Sequence, residues 1–240
     1  MIKIGILGIG GRMGQLIAEE VAASDKCMLA GGADREIKSG LKQYEGAILT
    51  TKPDEVIAIS DVVINFTLAE ATPEFAKLAA THKKAFMTGV TGLDDKGIEA
   101  LKHAAKTIPL LYAPNTSLSL AAMKQITALA AKLLADFDYD VNIHDEHHRL
   151  KKDAPSGTAL ALGETVTRVN GGKHKPAYSS LRAGAIVGNH EVAFVGHGEI
   201  IRLQHQVSDR RVFAKGAVRA AQWLIGKPAG LYGMNDVLGV

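Results

Sequence analysis

Only one cysteine, Cys27, occurs in the 240 residues, so no intrachain disulfide can form and a reducing compartment suits the chain. Cys27 lies in an apolar run, where a buried structural thiol accounts for it. No stretch reaches the roughly 18 uncharged apolar residues that a membrane span needs. Residues 1–7 look briefly like a signal-peptide core, but Gly5 breaks the run and no small-residue cleavage pattern comes after it. A cytoplasmic protein without membrane attachment is therefore expected. Charge of one sign is also scarce. Lys and Arg total 28 against 25 Asp and Glu, a net +3 with the nine histidines neutral, and the basic residues form no tract. That is no footprint for nucleic acid, and a small anionic ligand fits the surplus as well as anything does. Internal repeats and low-complexity segments are missing too.

What is there is an ordinary globular composition, 47% hydrophobic and 22% charged, long enough for one large domain or two modest ones. The first half alternates short apolar runs with helical stretches. Residues 3–7, 28–33, 61–66, 85–88 and 108–112 are expected as strands, and 14–23, 70–82 and 94–106 as helices. Continuous apolar strands separated by helices indicate a parallel sheet buried on both faces, a doubly wound α/β domain of Rossmann type. After Thr116 the texture changes. A long amphipathic helix over 118–135 leads to a strand over 138–145, a loop over 147–155 and a helix beginning near Ser156. Two or three further strands come next. In 199–207, Ile201, Leu203 and Val207 alternate with Arg202, Gln204 and Gln206, the pattern of a half-exposed, mostly antiparallel sheet. A last helix, over 209–225, carries Phe213, Ala217, Ala220 and Leu224 on one face. The expected division is a dinucleotide-binding domain over 1–116, completed by 209–240, and a smaller α+β domain over 117–208.

Gly8-Ile9-Gly10-Gly11-Arg12-Met13-Gly14 comes directly after a strand and opens a helix. Glycines there allow a tight turn and close backbone approach to a pyrophosphate, while the helix N-terminus offers free N–H groups. The match is to Gly-x-x-Gly-x-x-Gly, since Met13 stands where the commoner motif has its third glycine. Asp34, at the end of the second strand, is the acidic residue expected to bind the ribose hydroxyls. Arg35 is as readily a solvated loop arginine as a partner for a 2′-phosphate. Two loops, Thr88-Gly89-Val90-Thr91-Gly92 and Ala113-Pro114-Asn115-Thr116-Ser117, lie after strands on the same edge and are candidates to line a nicotinamide; ordinary turn chemistry explains them nearly as well.

The densest chemistry is His144-Asp145-Glu146-His147-His148-Arg149-Leu150-Lys151-Lys152-Asp153-Ala154-Pro155-Ser156-Gly157-Thr158. A metal site from His144, Asp145 and His147 is one reading, but the zinc-protease spacing is missing and no metal is expected. A charged, solvated strand end is a second. The third is a site for an anionic substrate, and the residues after Pro155 favour it. Ser156-Gly157-Thr158 begins a helix whose N-terminus, flanked by hydroxyls, suits a carboxylate. His and Lys just upstream supply a tunable acid and a cation.

These motifs together resemble the dihydrodipicolinate reductase family over nearly the whole chain. The resemblance rests on Gly-x-x-Gly-Arg-Met-Gly at 8–14, Thr-Gly-x-Thr-Gly at 88–92, Ala-Pro-Asn at 113–115 and, most specifically, Glu-His-His-Arg-x-Lys at 146–151 with Asp-Ala-Pro-Ser-Gly-Thr-Ala at 153–159. Arg182-Ala183-Gly184, Gly188-Asn189-His190 and Phe213-Ala214-x-Gly216-Ala217 also fit. The resemblance implies reduction of the dehydrated form of 4-hydroxy-2,3,4,5-tetrahydrodipicolinate to tetrahydrodipicolinate by NADH or NADPH, in lysine and diaminopimelate biosynthesis. It implies His147 as the acid/base residue and Lys151 as proton donor. His148, Ser156, Gly157 and Thr158 would hold a small dicarboxylate. The cofactor would meet Gly8 to Met13, Asp34, Arg35, Gly89 to Thr91 and Ala113 to Thr116. A homotetramer assembled through the sheet of the second domain, the substrate-binding and oligomerisation domain, is also implied. Two other readings compete with it. An acylating semialdehyde dehydrogenase needs a nucleophilic cysteine, and Cys27 comes too early. A non-catalytic NAD(H) sensor would not need a His-Lys pair beside an anion cradle.

Overall fold

The computed structural model describes residues 1–240. The chain divides into two compact units, Met1–Ser117 with Arg211–Val240, and Leu118–Arg210. No helix is long and apolar enough to cross a membrane.

Elements are numbered in chain order. The first unit is built on β1 (Ile2–Leu7), β2 (Cys27–Ala33), β3 (Ile48–Thr50), β4 (Val62–Asn65), β5 (Ala85–Thr88), β6 (Pro109–Tyr112) and β11 (Gly230–Tyr232). They lie side by side in the order β11-β6-β5-β4-β1-β2-β3, all parallel. The run from β1 turns one way through β2 to β3 and the other way through β4, so the topological switch lies between β1 and β4. In such sheets ligands bind beyond the carboxyl ends of the strands at that switch. Leu7, Ala33, Val63, Phe86 and Leu110 form one buried face of the sheet. They pack with Val56 and Ile57 of α2 (Pro53–Ile59), Ala76 and Ala79 of α3 (Thr72–Thr81), and Leu101 and Ala104 of α4 (Asp95–Ala104). Because successive strand residues face opposite ways, Ile4, Ile6, Ile64, Met87 and Leu111 make a second buried face. α7 (Arg211–Leu224) packs over β4, β5 and β6 on the side it shares with α1 (Arg12–Ala22). Its Ala214, Ala217, Ala220, Ala221 and Leu224 are fully buried.

The second unit has a four-stranded sheet of β7 (Tyr139–His147), β8 (Ala177–Arg182), β9 (Gly188–Gly196) and β10 (Glu199–Val207), in the order β10-β9-β7-β8. β9 is antiparallel to both neighbours, and β8 runs parallel to β7. α5 (Leu118–Leu133) and α6 (Gly157–Val169) cover one face through Leu120, Met123, Leu162 and Val166 on Val141, Ile143, Val192 and Phe194. The Rossmann-type sheet and the separate, mostly antiparallel sheet are the fold class that the patterning indicates.

Three details differ from the sequence-based expectation. His147 closes β7 and does not begin the next loop, because the ladder to β8 continues as far as His147 opposite Arg182. Two short strand-and-helix pairs, β3 with α2 and β11 with α8 (Met234–Leu238), have no counterpart in the expected element list. In β10, Ile201 remains 42% exposed although it shares its face with the buried His205 and Val207.

Candidate active site

The glycine turn joins β1 to α1. Gly8 has φ +88, which a side chain would strain, and its carbonyl sits under Gly14, where a Cβ would overlap it. No side chain caps the first turn of α1. Helix N–H groups left in that state, in front of a turn with no side chains, fit a pyrophosphate. Asp34 is bound into the turn as well: its carboxylate accepts from the Gly10 N–H at 2.9 Å and from the Arg35 N–H at 2.8 Å. A cavity of about 270 Å³ opens here, lined by Gly8, Gly11, Asp34 and Arg35 together with Thr51, Phe66, Thr67 and Phe75. It straddles the carboxyl ends of β1, β2 and β4, at the switch point. The residues present thus fit a dinucleotide, with Asp34 beside the turn and the exposed Arg35 next to it.

Ile9, in contrast, is buried and turned inward against Gly32, so only its backbone belongs to the turn. Gly89, Val90 and Thr91 come after β5, and Ala113 to Thr116 after β6, on the same edge of the sheet but outside that cavity. The Thr116 hydroxyl donates to the Phe213 carbonyl at 2.7 Å, so it is committed to holding α7. Thr51, Phe66, Thr67 and Phe75 are silent in the sequence because no motif marks them. Asn65 is a further case. Fully buried at the end of β4, its amide donates to Thr72 and Thr88, and its side-chain carbonyl accepts from the Thr67 N–H and hydroxyl. It joins three of the segments that border the carboxyl edge.

The second unit concentrates its chemistry at one end of β7. Strand register puts Asp145 opposite Ser180 of β8 and His190 of β9, and His190 opposite His205 of β10. Asp145 is completely buried, and four donors surround it. His147 Nδ1 lies 2.8 Å and an Arg182 guanidinium nitrogen 2.9 Å from Oδ2; the Ser180 hydroxyl lies 2.6 Å and the Ser156 N–H 3.3 Å from Oδ1. Burial opposes ionisation, yet the donors from Ser180, Arg182, Ser156 and His147 outweigh it and hold Asp145 at about 2. For His147, burial lowers the pKa below the ordinary imidazole value, and the hydrogen bond to Asp145 only partly offsets this.

Of the expected substrate residues, Ser156 is buried and serves as the N-cap of α6, its hydroxyl accepting from the Ala159 N–H at 3.2 Å and touching His190 Nε2 at 3.3 Å. Its side chain is therefore used internally. Gly157 is exposed and Thr158 half-buried in the first turn, so the helix N-terminus remains open to an anion there. Lys151, in the loop between β7 and α6, pairs with Asp153 at 2.9 Å. Arg182 donates to the Asp153 carbonyl at 2.6 Å and so steadies the same loop. His148 is half-buried and its carbonyl accepts from the Lys151 N–H at 3.0 Å. No group of three or more His, Cys, Asp or Glu side chains is arranged to hold a metal. Ser180 and His190 reach the Asp145–His147 pair only through strand register, which sequence reasoning misses; Asp145 itself lies two residues before His147 on the same face of β7, and in the sequence it reads only as a possible metal ligand.

Comparison with known proteins agrees with both halves. The family model for the N-terminus of dihydrodipicolinate reductase matches residues 2–116, and that for its C-terminus matches residues 119–238. Curated relatives named 4-hydroxy-tetrahydrodipicolinate reductase include one from Anaplasma marginale, 39% identical over 261 residues and covering 99% of each chain. Another, from Thiobacillus denitrificans, is 36% identical over 265 residues, covering 100% of this chain and 99% of the relative. Among solved structures, a dipicolinate-bound dihydrodipicolinate reductase from a Paenisporosarcina species superposes with a TM-score of 0.85 at 22% identity, covering 98% of this chain and 99% of that one. A scyllo-inositol dehydrogenase from Lactobacillus casei, with bound NAD(H) and scyllo-inositol, shares the fold more loosely, at a TM-score of 0.63 and 14% identity over 99% of this chain and 93% of that one. The chain belongs to the dihydrodipicolinate reductase family, whose members are NAD(P)H-dependent oxidoreductases.

Proposed function

We propose that this chain reduces the dehydrated form of 4-hydroxy-2,3,4,5-tetrahydrodipicolinate to tetrahydrodipicolinate, a step of lysine and diaminopimelate biosynthesis. The observation that carries the reading is the open N-terminus of α6 at Gly157 and Thr158, on the segment that also bears His147 and Lys151. That combination suits a substrate with carboxylates to be held and a ring to be protonated. The relative of similar fold that was solved with dipicolinate supports the same chemical class.

When bound, the dinucleotide supplies a hydride. Hydride at ring carbon 4 pushes electrons toward the ring nitrogen, so one proton must be delivered as the charge builds. Lys151 and His147 fit that role. The Lys151 ammonium exchanges Asp153 for the substrate, where it stabilises developing negative charge and donates a proton. His147 gives or takes a proton through Nε2. Gly157 N–H and the Thr158 hydroxyl hold one carboxylate, with His148 on another, and the buried Ser156 keeps the cradle in shape through its cap.

Both NADH and NADPH serve in this reading, because Asp34 accepts from ribose hydroxyls and the exposed Arg35 meets a 2′-phosphate. A homotetramer is proposed through the uncovered face of the second sheet, where Leu181 and Ile200 are 43% and 49% exposed. The test of the function is loss of reduced-nicotinamide absorbance with freshly generated substrate, for wild type and Arg35→Ala. Turnover with both cofactors, and an Arg35→Ala change that weakens NADPH much more than NADH, is the expected result. Absence of turnover with either cofactor would overturn the assignment. Light scattering that gave a monomer at micromolar concentration would remove the tetramer.

A further inference from the structure

Asp145 stands at the centre of the second unit's polar cluster, yet it need not touch substrate. An ionised carboxylate only accepts hydrogen bonds, so the nitrogen of His147 that faces it, Nδ1, must carry a proton. That leaves Nε2 as the nitrogen free to exchange one. Gly188 packs close to the ring on its other side: a Cβ there would stand 3.1 Å from Nε2 and crowd it. The second oxygen of Asp145 accepts from the backbone N–H of Ser156, the N-cap of α6. One carboxylate thus fixes the ring and the first turn of the helix that carries Gly157 and Thr158.

We propose that Asp145 is a positioning residue of the reaction, holding His147 in its Nδ1–H tautomer and in register with the anion-binding end of α6, with Arg182 and Ser180 keeping the carboxylate itself in place. This rests on the reading of His147 as the acid/base group. An exposed carboxylate could not do the same work, because water would compete for the imidazole and the tautomer would equilibrate. Full burial with four donors removes that competition. The charged or titratable groups facing His147 are Asp145 on its own strand, Lys151 from the loop, Arg182 from β8 and His190 from β9. Asp145 favours the imidazolium, while Lys151 and Arg182 disfavour it. Removing the carboxylate charge must therefore lower the pKa of His147 further.

Two measurements test this. In wild-type protein labelled with ¹⁵N-histidine, long-range ¹H–¹⁵N correlations, assigned by their loss in His147→Gln, report the tautomer without any turnover. The neutral Nδ1–H form is expected, and an Nε2–H form would overturn the proposal. In Asp145→Asn, kcat is expected to fall about 10²- to 10³-fold with dinucleotide affinity retained. The limb of the pH profile that belongs to His147 should move to lower pH. A variant whose activity falls while that limb stays where it is in wild type would make Asp145 merely structural and end the proposal. Should Asp145→Asn fail to fold, the wild-type tautomer decides. Should the wild type show no turnover at all, the proposed reaction falls while the tautomer measurement stands on its own.

Discussion

Lys151 and Thr158 come from neighbouring stretches of chain but hold opposite kinds of position. Lys151 lies in a loop, paired with Asp153, an exposed partner that is easily exchanged. Thr158 lies in the first turn of α6, fixed by a capped helix. A group that must act as charge develops contributes to the transition state, whereas a hydroxyl on a carboxylate that does not react acts equally on ground and transition states. Lys151→Ala and His147→Ala are accordingly expected to lower kcat about 10²- to 10⁴-fold. Dinucleotide affinity should hold, since the glycine turn and Asp34 belong to the other unit. Thr158→Ala should instead raise KM by about 10- to 100-fold, the effect of losing one hydrogen bond to an anion, with a smaller change in kcat. Steady-state kinetics and dinucleotide titration check both. Near wild-type kcat in both Lys151→Ala and His147→Ala, or loss of NADH binding in either, would contradict this division of roles.

At the scale of elements, α7 is the most demanding piece. It returns from the second unit to the first, and it can lie close to the Ala113 to Ser117 segment only because residue 216 is glycine: a Cβ there would overlap the Thr116 carbonyl oxygen. The Thr116 hydroxyl reaches the Phe213 carbonyl across the same contact. Gly216→Ala should therefore cost about 1–3 kcal/mol of stability through overpacking, against the gain in helix propensity that alanine normally brings. A urea titration showing the variant as stable as wild type would disprove the close approach. How legible each element is in the sequence depends on its burial and length. β1, β2, β4, β5 and β6 are buried on both faces over most of their length, so they stand out as short, mostly apolar runs. β3 has three residues and none fully buried, and α2 has only Val56 and Ile57 buried, so neither carries a pattern. The glycine turn and the segment from His147 to Thr158 are contiguous and therefore readable. Asp145 is contiguous with them as well, but its partners Ser180, Arg182 and His190 come from other strands, and their meeting depends on register that local patterning does not encode.

For the whole molecule, the two units carry separate cores, and only the second is loaded with buried histidines. His147, His190 and His205 are each less than a tenth exposed and have lowered pKa values, with burial the largest cause in all three. His190 is held at about 4, from an ordinary 6.5. The unfolded chain protonates such a group near 6.5 while the folded protein resists, so the unfolded state binds more protons between these values and stability falls as pH falls. The full contribution is present above pH 6.5, declines from 6.5 to about 4 and stays constant below. For His190 alone this amounts to about 3 kcal/mol, and the other two histidines act in the same direction. Asp145 has a different window: lowered from 3.8 to about 2, its stabilisation is intact above 3.8 and lost only as pH approaches 2. Mild acid should thus loosen the second unit through its histidines while the Asp145 cluster is still ionised. Amide exchange read by mass spectrometry should show faster exchange in residues 139–147 and 188–207 at pH 5 than at pH 7, after correction for intrinsic rates. Peptides from β1 and β4 should change much less. His190→Gln should reduce the pH dependence, since glutamine has no proton to gain. Equal acid sensitivity of both sheets, or an unchanged slope in His190→Gln, would mean that the buried histidines do not set the acid response.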